Sequence, residues 1–312
     1  MKLPCVSVLM STYNGERYIK EQIDSILSQK DVDIHLLIRD DGSKDRTPLI
    51  CKEYMDKYSN INFYQGENVG VGKSFMELLE IAPKAEYYSF ADQDDVWLED
   101  KLIQAIRSIK SIKEIQDKPV LYTSNQILVN EKLNPYGLRF QKEPRHDLIQ
   151  EVASNSLSGC TMVMDLSLKN IISDKKYKPE DYFLNTRLHD TWFLIVANIV
   201  GEIIYDEKSY ILYRQHENNV VGVKKKTAFQ KIFDKYNRFI TGKYRGNRSR
   251  TAMFLQEKFN MKLSIEQKDE LKYFIECKSI KGALKILKNK KVKDVFDEKG
   301  FFLFFRCILG WV

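Results

Sequence analysis

Three carboxylates fall within four positions at Asp92, Asp94 and Asp95, inside the stretch YYSFADQDDVW from Tyr87 to Trp97. Carboxylates this dense repel one another, and placing them at the end of a buried strand costs stability. A divalent cation relieves that cost, and hard oxygen ligands suit Mg²⁺ or Mn²⁺. One chemistry is therefore a metal site that holds a phosphorylated ligand. The other is an acidic turn in water, with Asp95 capping the next helix. A second cluster, His189-Asp190, precedes the apolar run FLIVANIV. Asp190 there either caps a helix or acts as a general base, because taking a proton from a hydroxyl needs a carboxylate or imidazole within hydrogen-bond reach. A third cluster, Arg214 with His216, follows the apolar YILY. Its guanidinium suits a diphosphate, and its imidazole could complete a metal shell.

Elements of matching period surround these groups. Val6 to Met10, Asp33 to Arg39, Ile61 to Gln65 and Tyr87 to Ala91 read as strands of a buried parallel sheet. Helical periodicity runs over Tyr18 to Leu27, Asp45 to Tyr58, Ser74 to Ile81, and from Trp97 to Ile112. This alternation predicts a parallel sheet with right-handed crossovers, whose ligands bind at the carboxyl ends of the strands. Asn14, Asp40, Asp41, Asn68 and the Asp92 to Asp95 acids all lie directly after these strands. One crevice explains them all. The first loop, STYNGE, lacks the GxGxxG of a dinucleotide site, and GVGKS at Gly70 to Ser74 lacks P-loop spacing. An acid after the second strand still suits a nucleoside, because it can accept from a pyrimidine N–H or a ribose hydroxyl.

Beyond Ile112 the pattern predicts two closely joined strands, Pro119 to Ser124 and Gln126 to Val129, then a polar mobile loop from Leu133 to Glu151. SGCT at Ser158 leads into a strand MVM, Ser167 to Ser173 into a short helix, and Tyr177 to Arg187 into a loop. The helix after His189 ends at Gly201, a common C-cap. Strands follow at Ile203 to Tyr205 and Ser209 to Tyr213.

The 312 residues are 43% apolar and 30% charged, which excludes disorder and an integral membrane protein. No run approaches the roughly 20 apolar residues of a spanning helix. MKLPCVSVLM carries no signal-peptide pattern. Cys5, Cys51, Cys160, Cys277 and Cys307 form no CxxC and read as buried thiols in a reducing compartment. The net charge of +7 is concentrated in Lys224 to Arg250, where aromatics interleave with Lys and Arg. Lysine-rich helices are expected at Ser264 to Cys277 and Lys281 to Lys288, and the chain ends FFLFFRCILGWV. That run either docks on the domain or lies in a membrane interface, which its basic flanks favour. Nucleic acid is not expected, since no nucleic-acid motif accompanies the charge.

With these parts in place, residues 4–222 resemble the inverting family-two glycosyltransferases of the GT-A fold. The resemblance is carried by Thr12-Tyr13-Asn14, RDDGSKDRT at Arg39 to Thr47, NVGVGKSFM at Asn68 to Met76 and ADQDD at Ala91 to Asp95. SGCTMV at Ser158, LHDTWF at Leu188 and YRQHENNVVG at Tyr213 complete the ordered set. The forms DQDD, HD-x-W and YRQH-x-NN are similar to bacterial rhamnosyltransferases that build cell-surface polysaccharides.

The resemblance implies an α/β fold, a Rossmann-like mixed, mainly parallel sheet flanked by helices, with a helical C-terminal extension. It implies a catalytic domain at 1–222, with a nucleotide-sugar half about 1–115 and an acceptor half about 116–222, followed by a basic helical region at 223–312. The implied reaction is metal-dependent inverting transfer of one sugar to a hydroxyl of a glycan or lipid-linked acceptor. The first donor candidate is dTDP-L-rhamnose and the second a UDP-hexose, with Mg²⁺ or Mn²⁺ as cofactor. By resemblance Asp40 binds the base, Tyr13 lines its pocket, Asp92 lies against ribose and metal, and Asp94 ligates the metal with His216. Thr12, Asn14, Asp41, Asn68, Lys73, Gln93 and Arg214 complete the donor side. Asp190 is the catalytic base, and Gly159, Cys160, His189 and Trp192 line the acceptor side. His189 departs from the Glu-Asp common in the family. The Gln-x-x-Arg-Trp of processive members is missing, which implies single transfer. Two rivals share acidic α/β sites. A sugar-nucleotide pyrophosphorylase would need a Gly-rich, basic first loop, and an inactive binding module would have lost the acids. A glycosidase would use an acid and base pair without metal. The expected place is cytoplasmic, peripheral on the inner face of the cell membrane.

Overall fold

The computed structural model describes residues 2–216, 245–296 and 300–310. The ENNVVG stretch after His216, most of the basic segment from Lys224 and the last two residues of the apolar C-terminal run lie outside the described residues.

The first half alternates as expected: Cys5–Thr12 (β1), Ile19–Leu27 (α1), Asp33–Asp40 (β2), Thr47–Lys57 (α2), Ile61–Gln65 (β3), Val71–Ile81 (α3) and Tyr87–Ala91 (β4). These strands pair in parallel in the order β3-β2-β1-β4, with Thr12 beside Asp40 and Met10 beside Ala91. Period-two alternation sorts their side chains into two cores. Val6, Val8 and Met10 join Ile23 of α1 and Ile50 of α2 on one face. Leu9, Tyr88 and Phe90 join Phe75 and Leu79 of α3 on the other.

The second half contains Val96–Trp97 (β5), Lys101–Ile115 (α4), Val120–Val129 (β6), Pro135–Leu138 (β7) and Leu148–Ala153 (α5). Val163–Asp165 (β8), Leu166–Ile172 (α6), Asp181–Thr186 (α7), His189–Val200 (α8) and Glu202–Arg214 (β9) follow. The sheet continues β4-β8-β6-β9-β5, and β7 adds to β6. β8 runs antiparallel to β4 and β6, while β6 and β9 are parallel. The sheet is thus mixed, with helices on both faces.

Several sequence expectations are corrected here. The helix expected from Trp97 begins at Lys101, because Val96 and Trp97 pair antiparallel with Leu212 and Ile211. The two strands expected at Pro119 to Val129 are one strand, with register irregularities at Asn125, where its partner β9 jumps from Asp206 to Ser209. β9 likewise joins the two strands expected there. The segment expected as a mobile loop holds β7 and α5, whose first turn is capped by Asp147 Oδ1 accepting from the Gln150 N–H at 3.0 Å. The Tyr177 to Arg187 loop holds α7. Gly201 does end α8, but with extended φ of −144°. Glycine is required there by close approach, since a Cβ would lie 2.2 Å from the Pro119 carbonyl oxygen.

Asn247–Lys258 (α9), Ile265–Ile275 (α10), Ile280–Lys288 (α11), Lys290–Lys293 (α12) and Phe301–Ile308 (α13) follow. Phe259 after α9 stacks on Tyr177, at 4.4 Å between centroids, and meets Trp192 edge-on. The C-terminal helices therefore share a core with α8. α13 packs against α11 through buried Leu303 and Cys307, while Phe301 and Phe302 stay 71% and 74% exposed. Among the described residues, no helix is long and apolar enough to cross a membrane.

Candidate active site

A cavity of about 820 Å³ opens at the carboxyl ends of β1 and β4. Thr12, Tyr13, Asn14, Asp41, Asn68, Asp92, Gln93 and Asp94 border it from one half of the fold. Gly159, His189, Asp190 and His216 border it from the other. Thus residues from loops far apart in sequence meet at one crevice, as the rule for parallel strand ends requires.

The first loop and the acidic loop are tied by a reciprocal amide pair. The Tyr13 N–H donates to Gln93 Oε1 at 2.8 Å, and Gln93 Nε2 donates to the Tyr13 carbonyl at 3.0 Å. Asn14 sits in the left-handed region at φ 49°, which Asn tolerates, and its Oδ1 accepts from the Lys44 N–H. The Asp41 carboxylate accepts from the N–H groups of Val69 and Gly70, both at 2.9 Å, and so shapes the turn into α3. Buried Arg39 pairs with the same carboxylate.

Asp40 is fully buried and does not border the cavity. Its carboxylate accepts from Thr12 Oγ1 and from the N–H and hydroxyl of Ser43. Lys73 points away to Asp181, 3.3 Å off. Arg214 is also turned from the cavity and buried at 1% exposure. Its Nε donates to the Asp94 carbonyl at 2.8 Å, Nη1 to the Glu131 carbonyl, and Nη2 to Glu21.

The acids cluster as their spacing suggests. Asp94 Oδ2 lies 2.7 Å from His216 Nε2. Burial first, then the charges of Asp94 and Asp190, push the Asp92 carboxyl up to about 7. Asp95 does not cap α4. It is buried, accepts the Arg214 N–H with Oδ1 at 3.1 Å, and leaves Oδ2 without a hydrogen-bond partner. Cys160 is buried behind the acids, accepts from Gln126 Nε2 at 3.3 Å, and does not reach the cavity.

Across the cavity, Asp190 occupies the first turn of α8 without being its cap, which is Leu188. Its Oδ1 accepts the Thr191 N–H at 2.7 Å and its Oδ2 accepts from Asn155 Nδ2 at 2.9 Å. Burial raises its pKa, and these bonds and the Arg139 charge oppose the rise. Trp192 does not face this site. It is 1% exposed and packs edge-on against Phe183 and Phe254.

Several residues at the cavity or behind it were not singled out by sequence. Arg17, Tyr18, Glu131 and Tyr213 border it, and Asn155 holds Asp190 from behind. Arg17 and Tyr18 lie just past the first strand-end turn, so the same positional rule reaches them. Asn155 lies in a loop with no periodic signal.

The family description for glycosyl transferase family 2 matches residues 7–171. The chain is 37% identical to the dTDP-rhamnosyl transferase RfbG of Shigella flexneri over 229 residues, covering 68% of this chain and 73% of that protein. It is 26% identical to an uncharacterized glycosyltransferase of Rickettsia typhi, over 69% of this chain and 65% of that one. Among solved structures, S. aureus TarS 1-349 in complex with UDP-GlcNAc matches with a TM-score of 0.53 at 19% identity, covering 93% of this chain and 83% of that one.

Proposed function

The chain belongs to glycosyl transferase family 2 and has its GT-A fold, and we propose that it transfers L-rhamnose from dTDP-L-rhamnose to an acceptor hydroxyl with inversion. The observation that carries this reading is the shared cavity of Asp190 with Asp92 and Asp94. Asp190 takes the proton from the acceptor hydroxyl as its oxygen attacks the anomeric carbon, and the nucleoside diphosphate leaves from the opposite face. Two hydrogen bonds fix the Asp190 carboxylate, so its geometry is set before the acceptor arrives. The rhamnose and the deoxythymidine are supported by the relative's name, at 37% identity.

A divalent cation fits the acidic side. Ligand atoms of Asp92, Asp95 and Cys160 lie within 4.8 Å of one another, Asp95 Oδ2 there has no hydrogen-bond partner, and the Asp94 carboxylate beside them meets the His216 imidazole. Asp92, Asp94 and His216 would hold Mg²⁺ or Mn²⁺, which when bound supplies charge neutralisation at the donor diphosphate. Residues 1–222 carry the catalytic groups in this reading, and the C-terminal helices, which share a core with α8, touch the membrane with their exposed side. The acceptor is a glycan or a lipid-linked sugar on the inner face of the cell membrane.

Thermal stabilisation by dTDP and UDP, each with and without Mn²⁺, tests the donor side, because a ligand bound only to the folded state raises its stability. Metal-dependent stabilisation by dTDP over UDP is expected. Preference for UDP overturns the deoxythymidine donor but keeps the reaction. Silence with both overturns the donor site itself.

A further inference from the structure

Arg139 follows the exposed edge strand β7 and turns its side chain inward. Its Nη1 donates to Gln126 Oε1 at 2.8 Å and to Ser158 Oγ. The guanidinium lies 5.2 Å from the Phe140 ring centre and 5.7 Å from that of Tyr213, which borders the cavity. Both hydrogen-bond partners are neutral, and among the described residues Arg139 forms no ion pair. Withdrawing a cation from water costs free energy unless nearby charge compensates it. Its charge acts on Asp190 from one side of the cavity and on Asp92 from the other.

Ser158 opens the turn that serves Asp190. Gly159–Thr161 forms one turn of 3-10 helix, and the Gly159 N–H donates to the Asp190 carboxylate. A Cβ at position 159 would lie 3.4 Å from the Asp190 Cβ, so the turn packs directly on that residue. Asn155, three residues before Ser158, donates to Asp190 Oδ2 at 2.9 Å. Residues 155–159 thus deliver two donors to Asp190, and the Thr191 N–H of α8 adds another. This segment is tied down at two points. Thr161 Oγ1 meets Thr123 Oγ1 of β6 at 2.7 Å, and Ser158 Oγ meets Arg139. Gln126, the other partner of Arg139, donates from Nε2 to Cys160 Sγ at 3.3 Å, beside Asp92 and Asp95. The bonds that lead to Asp190 and those that lead to the acids therefore meet at one guanidinium.

We propose that Arg139 is a positioning residue for the catalytic base, anchoring through Ser158 the segment that orients Asp190 and setting a positive charge within reach of Asp190 and Asp92. The inference rests on the reading of Asp190 as the base. Arg139 does not border the cavity, so it acts through Ser158 and Gly159 and exchanges no proton itself. The other titratable groups around Asp190 are Asp92 after β4, Glu151 of α5, and His189, which burial keeps neutral. Against these acids the Arg139 charge favours the ionised form of Asp190. A base that is both ionised and fixed before the acceptor arrives loses little in reaching the transition state.

The test measures dTDP release from dTDP-L-rhamnose with Mn²⁺ across pH, or UDP release from UDP-glucose where UDP is the nucleotide that stabilises the protein. Arg139→Gln should lower kcat about tenfold, the size of one hydrogen bond to a charged group. It should also move the acid limb of kcat/KM upward, because losing the positive charge disfavours the carboxylate. Nucleotide affinity should stay within about twofold of wild type. Arg139→Lys keeps the charge and should return the limb to its wild-type position. Ser158→Ala cuts the anchor, keeps the charge and should lower the kcat plateau. Arg139→Gln added to Asp190→Asn should lower kcat no further, since the anchor then holds no base. A further drop of the same size in that background overturns the proposal. Weaker nucleotide binding and a lower melting temperature with an unmoved limb make Arg139 structural and also overturn it. Wild-type activity in Asp190→Asn removes the base itself, whereas an inactive Asp190→Asn beside a wild-type-like Arg139→Gln sinks the proposal alone. Where neither donor turns over, carbon-13 NMR titration of the Asp190 carboxyl, assigned with Asp190→Asn, decides. A pKa raised in Arg139→Gln and restored in Arg139→Lys supports the proposal, and an unmoved one overturns it.

Discussion

His216 Nε2 at the end of β9 lies 2.7 Å from Asp94 Oδ2 in the loop after β4, across 122 residues of chain. The contact depends on the short antiparallel pairing of Val96 with Leu212, which docks the acidic loop on the last strand. A carboxylate and an imidazole this close compete for one proton or share one cation. On the cation reading, Asp94→Asn should abolish metal-dependent stabilisation by dTDP. His216→Ala should raise the apparent metal dissociation constant by on the order of tenfold. A Mn²⁺ titration of donor hydrolysis reads both. Unchanged metal response in the two variants would remove these residues from the metal site.

Asp190 gives a pH prediction with a definite sign. A general base works ionised, so its contribution is present above its pKa and lost as pH falls through it. Burial raises that pKa in the folded protein. The acid limb of kcat/KM should therefore lie above the ~3.9 of a free aspartate. The Asn155 amide stabilises the charged form. Asn155→Ala should move the limb upward by about one pH unit, the scale of one hydrogen bond to a charged group. Asp190→Asn should lower kcat by ~10²–10⁴-fold while dTDP still binds. A pH profile of Asn155→Ala that overlays wild type would show that the amide does not tune the base.

Arg214 was expected on the diphosphate, and its buried contacts predict a different phenotype. Its guanidinium donates to the Asp94 and Glu131 carbonyls and to the Glu21 carboxylate, and lies over the Tyr18 ring at 4.4 Å. Removing it leaves those acceptors without their donor. Glu21 is half exposed, so the loss is mainly that of the two carbonyl hydrogen bonds and of packing, and Arg214→Ala should cost about 1–3 kcal/mol in urea unfolding. Metal affinity should fall with it, because the Asp94 main chain loses its anchor. A fully stable variant with weak dTDP binding would return Arg214 to the ligand.

Much of this site is legible in sequence because strand ends converge by topology. Asn14, Asn68 and Asp92 follow β1, β3 and β4, so naming the strands names the crevice. What fails is orientation. Of the adjacent pair Asp40 and Asp41, only Asp41 borders the cavity, since Thr12 and Ser43 draw Asp40 inward. Trp192 lies two residues past Asp190. Two steps on a helix turn about 200°, which sends it to the opposite core. Trp97 carries a helical pattern that pairing with Ile211 overrides. Long-range partners decided Trp97 and, through Thr12, part of Asp40, whereas Ser43 beside Asp40 and the helical turn to Trp192 were local signals that a reading by strand ends alone does not weigh.

The C-terminal run divides the two alternatives left open by its sequence. Leu303 and Cys307 are buried against the domain, whereas Phe301, Phe302 and Phe305 remain exposed at 71%, 74% and 44%. Positions 301, 302 and 305 share one helical face, and α11 beside it adds exposed Ile280 and Leu284 among Lys281, Lys285 and Lys288. Aromatics backed by lysines suit an anionic lipid surface. Removing residues 301–312 would also remove the docked face, so truncation confounds binding with folding. Phe301→Ser, Phe302→Ser and Phe305→Ser together leave Leu303 and Cys307 in place. The triple variant should keep the wild-type melting temperature within a few degrees. It should sediment with vesicles containing anionic phospholipid at least about tenfold less than wild type, consistent with the loss of roughly 25 cal/mol per Å² of apolar contact. Added salt should weaken wild-type binding further, because the lysine contribution is screened. Equal sedimentation of variant and wild type would confine α13 to a structural role.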